Sequence, residues 1–263
     1  MKNTFLTLSA VAVLAVSCSD ADVAPAPSPE SLLPVRVEES NFTKDIFYDA
    51  EGRIDRMVHT SFYPNDVRME LVYDFQYSTN GQLARIQAGD FRFEYAYDGQ
   101  YIARTNEYIG DHLTQYHLFT YDSRGLVTEI ATYQNVPELG GWSRTSRGVY
   151  EYNAAKNMTR QTAYYDEGGV EKMIYRFDYL LYDNKPSYKA VFDVVFFNPQ
   201  MKYSINNPKQ MESRNRNGIL SAIDYYTYEY NRAGYPVKQF TNTYVPSTNE
   251  NFERNTSYTY EQR

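Results

Sequence analysis

One short pattern recurs along this chain and restricts its fold more than any other feature: aromatic-x-Tyr-Asp/Asn, followed at once by a turn. Copies stand at Ile46-Phe47-Tyr48-Asp49-Ala50-Glu51-Gly52, Phe75-Gln76-Tyr77-Ser78-Thr79-Asn80-Gly81, Tyr95-Ala96-Tyr97-Asp98-Gly99 and Phe119-Thr120-Tyr121-Asp122-Ser123-Arg124-Gly125. Later copies are Tyr150-Glu151-Tyr152-Asn153, Leu180-Leu181-Tyr182-Asp183, Tyr228-Glu229-Tyr230-Asn231-Arg232-Ala233-Gly234 and Tyr258-Thr259-Tyr260-Glu261. The anchor tyrosines 48, 77, 97, 121, 152, 182, 230 and 260 are 29, 20, 24, 31, 30, 48 and 30 residues apart. That spacing fits one hairpin-sized unit per copy, with one insertion.

Side chains alternate along a strand, so Phe93, Tyr95 and Tyr97, or Tyr226, Tyr228 and Tyr230, share one face. The following Asp/Asn-x-x-Gly suits a hairpin loop. Its first side chain bonds back to the turn, and its glycine takes the positive-φ position. An aliphatic residue two places on (Ile54, Leu83, Val127) begins the next strand. Three copies depart from the pattern: Tyr97-Asp98-Gly99 is shortened, Lys156 stands where glycine is expected after Asn153, and Asp183 runs into Lys185-Pro186. The chain's 28 Tyr against 14 Phe agree with half-buried strands. The expected fold is all-β: tandem antiparallel β-hairpin repeats, roughly 14 to 16 strands at two per unit, forming a long curled sheet, either a roll or an incomplete barrel. The longest interval predicts an excursion at about 184–217 that plugs or caps one end of the apolar face. It carries the apolar run Asp193-Val194-Val195-Phe196-Phe197-Asn198-Pro199.

The first residues read as an address. Lys2 precedes an apolar run from Phe5 to Val16, the length of a signal-peptide core and short for a bilayer span. Ala15-Val16-Ser17-Cys18 resembles the lipobox of bacterial lipoproteins, with Ala15 where that family usually has leucine. The resemblance implies a signal peptide over 1–17, cleavage before Cys18 and lipidation there, hence export to the cell envelope on a membrane anchor, with the outer membrane as the expected site. Ala24-Pro25-Ala26-Pro27-Ser28-Pro29 and Pro34 predict an extended tether, so 18–41 is read as lipidated cysteine plus linker and 42–263 as the repeat domain. The acids after Cys18 resemble the surface-export signal of some Gram-negative lipoproteins.

The repeat itself resembles the YD repeats of bacterial RHS-type proteins, and more closely those of small YD-like lipoproteins. Tyr226-Thr227-Tyr228-Glu229-Tyr230-Asn231-Arg232-Ala233-Gly234-Tyr235-Pro236-Val237-Lys238 is the most telling copy. The resemblance covers about 42–263 and implies an antiparallel β array without an established activity.

The residues carry no catalytic signature: no phosphate loop, no His-Glu-x-x-His and no Gly-x-Ser-x-Gly. His112 and His117 fall on opposite faces if they lie on one regular strand, which speaks against a shared metal, and the single cysteine precludes a disulfide framework or a cysteine-based zinc site. Neither a cofactor nor a metal is expected. Asp166-Glu167-Gly168-Gly169 offers oxygens but lacks an EF-type ligand series. A net charge of −7 without a basic cluster argues against nucleic acid. The candidate ligand contacts are Trp142, in a glycine-rich connection, with Tyr164 and Tyr165 beside the acidic turn. The expected function is a non-catalytic, lipid-anchored binding or scaffold module whose partner is an envelope glycan or protein. The alternatives are a polysaccharide-acting hydrolase and a structural spacer.

Overall fold

The computed structural model describes residues 32–65, 67–187, 196, 198, 199, 201 and 204–262. The expected signal peptide, Cys18 and the expected tether up to residue 31 lie outside the described residues. Among the described residues sixteen strands run in sequence: β1 (Leu32–Glu39), β2 (Phe42–Tyr48), β3 (Ile54–Tyr63), β4 (Val67–Tyr77), β5 (Leu83–Ala88), β6 (Phe91–Asp98), β7 (Tyr101–Ile109) and β8 (His112–Tyr121). They continue as β9 (Val127–Val136), β10 (Gly141–Tyr152), β11 (Met158–Glu167), β12 (Val170–Pro186), β13 (Asn206–Asn215), β14 (Leu220–Tyr230), β15 (Pro236–Val245) and β16 (Glu250–Gln262). Every strand pairs antiparallel with its chain neighbours, and β1 pairs with β16.

The sheet is thus a closed barrel, where a roll or incomplete barrel was expected. The closing strand is the reason: β1 comes from a segment read as tether, so the barrel domain starts at Leu32 and not at residue 42. Pro34 made that stretch look like linker. Proline cannot donate to a ladder and within sheets sits at edges or bulges. Here it lies at the β1/β16 register shift between Pro34 and Arg36, with its side chain fully buried. The excursion is likewise shorter than 184–217. β12 extends to Pro186 and β13 begins at Asn206, with Pro186 and Pro208 both at register shifts in the β12/β13 pairing.

Residues opposite one another in register share a face, so the buried clusters identify the inside. One cluster joins Val37, Ile46, Met57, Phe75, Leu83 and Ile86; the other joins Val127, Ile130, Tyr150, Met158 and Met201. The anchor tyrosines sit at one end of the lumen, and their hydroxyls explain why the repeat specifies Tyr over Phe. Tyr48 donates to the Pro34 carbonyl (2.6 Å), Tyr77 to Ile54 (2.8 Å), Tyr97 to Leu83 (2.9 Å), Tyr121 to Ile102 (2.8 Å) and Tyr260 to Pro236 (2.7 Å). Tyr182 donates in the same way to Met158. Most of these acceptors stand at bulges, where a carbonyl loses its regular ladder partner.

At this tyrosine end the turns repeat as well. Asp49, Asp122, Asn153 and Asn231 each accept backbone N–H bonds on Oδ1 from the residue four places on. The fourth turn position has φ +79° at Gly52, +77° at Gly125 and +86° at Gly234. Lys156 takes the same left-handed conformation at +61°.

Candidate functional site

The excursion between β12 and β13 leaves the sheet at the tyrosine end, and its described residues turn back into the lumen. The Phe196 ring stacks on Tyr73 (4.1 Å) and Phe93 (5.7 Å), and its carbonyl accepts the Tyr95 hydroxyl (2.5 Å). Met201 joins the second core cluster, and the Ser204 hydroxyl accepts the Met158 N–H (3.1 Å). The described part of the excursion therefore closes over this end.

Between it and the β6–β7, β8–β9 and β10–β11 turns lies a cavity of about 590 Å³, lined by residues that include Tyr101, Tyr121, Arg124, Lys156, Asn198 and Met201. The Tyr101 and Tyr121 rings are 4.9 Å apart. Tyr101 lies so close over the β8–β9 turn that a methyl at Gly125 would fall 2.5 Å from its hydroxyl oxygen and displace the ring, which adds to the demand of φ for glycine. Arg124 is held by Asp122 (2.7 Å) and the Asn153 carbonyl (2.9 Å). Burial alone would push the Asp122 carboxyl up, but the Leu126 N–H and the Arg124 guanidinium outweigh it and hold the carboxyl below its ordinary range. Asn198 is 1% exposed and donates to the Tyr121 hydroxyl (3.4 Å), while its Oδ1 has no hydrogen-bond partner among the described residues. Burial raises the Tyr121 phenol, and the Asn198 bond partly offsets this.

The opposite end is open. Met69 and Phe252 face inward by register, yet they are 52% and 55% exposed. Deeper on the same side, the buried His117 lies 2.6 Å from Glu107 and 2.9 Å from Thr132 Oγ1, with Gln115 donating to Glu107 (2.6 Å) and Gln134 to Gln115 (2.9 Å). His112 was expected on the other face from His117. An extra residue at Thr114, where the β7/β8 register shifts between Glu107 and Tyr108, turns it back to the same face. No group of three or more potential metal ligands occurs among the described residues.

The three sequence candidates do not converge. Trp142 sits on β10 facing outward, paired with Asn135 and 40% exposed. Its ring tilts against Tyr116 (5.2 Å), which stacks on Tyr133 (4.9 Å) and lies under the Arg104 guanidinium (3.9 Å). Tyr164 also faces out, beneath Arg147 (5.1 Å), whereas Tyr165 pairs with Ser146 and Lys172 on the lumen face. In the adjacent turn Asp166 accepts the Gly169 N–H and Glu167 pairs with Lys172, so both acids are engaged. Of the cavity residues, sequence reasoning singled out Tyr121, Gly125 and Val127 as parts of the repeat and Lys156 as a lysine in a glycine slot, none of them as a ligand contact. Tyr101 and Arg124 carry no signal of their own, and Asn198 lies in an insertion without a repeat to measure it against.

No protein-family model matches the chain, and no curated protein matches it. Among solved structures the fold is similar to that of a porin-like protein from Bacteroides uniformis, with TM-score 0.62 and 12% identity over 90% of this chain and 98% of that one. A porin-like protein from Bacteroides vulgatus gives TM-score 0.52 and 11% identity over 87% of this chain and 98% of that one. At these identities the likeness is one of fold.

Proposed function

We propose that this chain is a non-catalytic envelope protein, exported and lipid-anchored through Cys18, whose barrel stands in water beside the membrane and binds a glycan or protein partner. The observation that carries this reading is the charged outer wall. Asp178 faces outward and is gripped by Arg160 (2.7 Å), Arg176 (2.8 Å) and Arg214 (3.4 Å). Beside it Arg147 bridges Glu129 (3.0 Å) and Glu171 (2.6 Å), and Arg85 pairs with Glu94 (2.9 Å). A membrane-spanning barrel has the reverse arrangement, with an outward apolar band and a polar lumen. Outward aromatic rings here are flanked by charge, as where Arg56 covers Phe47 at 4.4 Å. The fold likeness to porin-like proteins agrees with an envelope setting. The YD-repeat resemblance rests on the turn motif, and its implication of an array without catalysis agrees with the same reading.

Cys18→Ser should release the protein from membranes and yield a monodisperse species without detergent. Retention in the membrane, or a need for detergent, rejects the reading. A hydrolase is the second reading, and the Thr132–His117–Glu107 alignment is the observation in its favour. Both ring nitrogens of His117 are occupied by protein partners, the pattern of a satisfied core histidine. Turnover of an envelope polysaccharide that His117→Gln abolishes would reverse that preference.

A further inference from the structure

We propose that the cavity at the tyrosine end binds an acidic saccharide of one or two rings, with the sugar carboxylate on Lys156 and a sugar hydroxyl donating to Asn198 Oδ1. This deepens the binding-module reading and rests on it.

Lys156 supplies the first argument. Among the five-residue turns at this end, Gly52, Gly81, Gly125 and Gly234 hold the left-handed position, and only the β10–β11 turn, one of the two such turns that line the cavity, puts a side chain there. A left-handed non-glycine residue costs on the order of 1 kcal/mol, and such strain concentrates where a site needs the side chain. No ion pair of Lys156 occurs among the described residues, so charge pairing among them does not account for it.

Asn198 is the independent observation. A buried amide oxygen without a donor is costly, and a ligand hydroxyl or N–H at the cavity would satisfy it. The remaining wall fixes the ligand class. Tyr101 offers an aromatic face held in place by its close approach to Gly125. Arg124 is oriented by Asp122, whose charge it neutralises, and this leaves Lys156 as the unneutralised charge among the described lining residues, which include no carboxylate, in a chain of net charge −7. An aromatic face, an orphaned acceptor and one unpaired ammonium match a hydroxyl-rich ring bearing a carboxylate. The volume of about 590 Å³ falls in the range that encloses small ligands.

The test uses the exported Cys18→Ser protein in calorimetric titrations with uronic-acid disaccharides, the neutral disaccharides of the same linkage, and inorganic sulfate. The acidic disaccharide should bind about 10-fold more tightly than the neutral one, the size of one charge-assisted contact. Lys156→Gly should abolish that preference while raising the urea midpoint, and Lys156→Arg should keep the preference. Equal binding of acidic and neutral sugars, an unchanged preference in Lys156→Gly, or sulfate binding as tightly as the acidic sugar overturns the proposal. A soluble protein that captures an envelope partner but shows no acid preference overturns the site and leaves the module standing. Consumption of the bound sugar, seen by NMR as new anomeric signals, overturns the non-catalytic reading and leaves the site standing.

Discussion

At the scale of single residues, the repeat sets a phenol against most of the carbonyls that bulges strand at the tyrosine end. Tyr77 and Tyr152 occupy equivalent positions, yet they differ in one respect. The Tyr77 hydroxyl donates to Ile54, whereas the Tyr152 hydroxyl is buried without a partner among the described residues. Removing one partner of a buried hydrogen bond costs about 1 kcal/mol, and removing a buried hydroxyl that makes none relieves a desolvation penalty of similar size. Tyr77→Phe should therefore lower stability by about 1 kcal/mol, while Tyr152→Phe should leave it unchanged or raise it by a similar amount. Urea titrations of the two variants check this, and equal losses would show that ring packing alone fixes the anchor.

At the scale of strands, the outer wall is tied by carboxylates shared between neighbours. Asp178 on β12 is paired with Arg160 on β11 and Arg214 on β13, so one side chain that is 10% exposed links three strands. Burial would raise its carboxyl, but Arg160 and Arg176 hold it below the ordinary carboxylate range. Neutralising it leaves three guanidinium groups facing one another, so Asp178→Asn should cost about 3 kcal/mol. Its stabilising effect is present above the unfolded-state carboxyl range, about pH 4, and is lost as pH falls through the depressed folded value. Urea midpoints measured between pH 7 and 3 should fall in the wild type and change less in the variant. The partners in this wall were not legible beforehand, because charges on alternate strand positions suggest solvated faces and cross-strand pairs but only register says which pairs form. The hairpins were legible, since Tyr-Asp-x-x-Gly states both the strand end and its turn. Closure was hidden by Pro34: a proline at a buried bulge and a proline in a linker look alike in sequence. The cavity was not legible: Lys156 in a glycine slot marked a departure from the repeat and not a site, and the Asn198 side depended on where an insertion folds.

At the scale of the whole molecule, the lumen is a tyrosine-lined interior, and this gives the barrel a characteristic response to alkali. Burial pushes Tyr77, Tyr97 and Tyr182 up to about 12, and Tyr73, Tyr95, Tyr121, Tyr150, Tyr152, Tyr226, Tyr228 and Tyr230 are raised too, by burial first in every case. A phenol in the unfolded chain ionises near pH 10, so above that pH the unfolded state has released protons that the folded state still holds. Stability then falls as pH rises, because the proton deficit lies on the unfolded side. The contribution is intact below pH 10 and is lost progressively above it, by about pH 12 for Tyr77, Tyr97 and Tyr182. Since the rings ring one lumen and share neighbouring strands, the first to ionise should open the barrel for the rest. Tyrosinate absorbance and loss of β-sheet circular dichroism should therefore rise together as one cooperative step in that window. A gradual spectral titration with the β signal intact to pH 12 would show that the phenols reach water without unfolding, and the lumen would then be hydrated along its length.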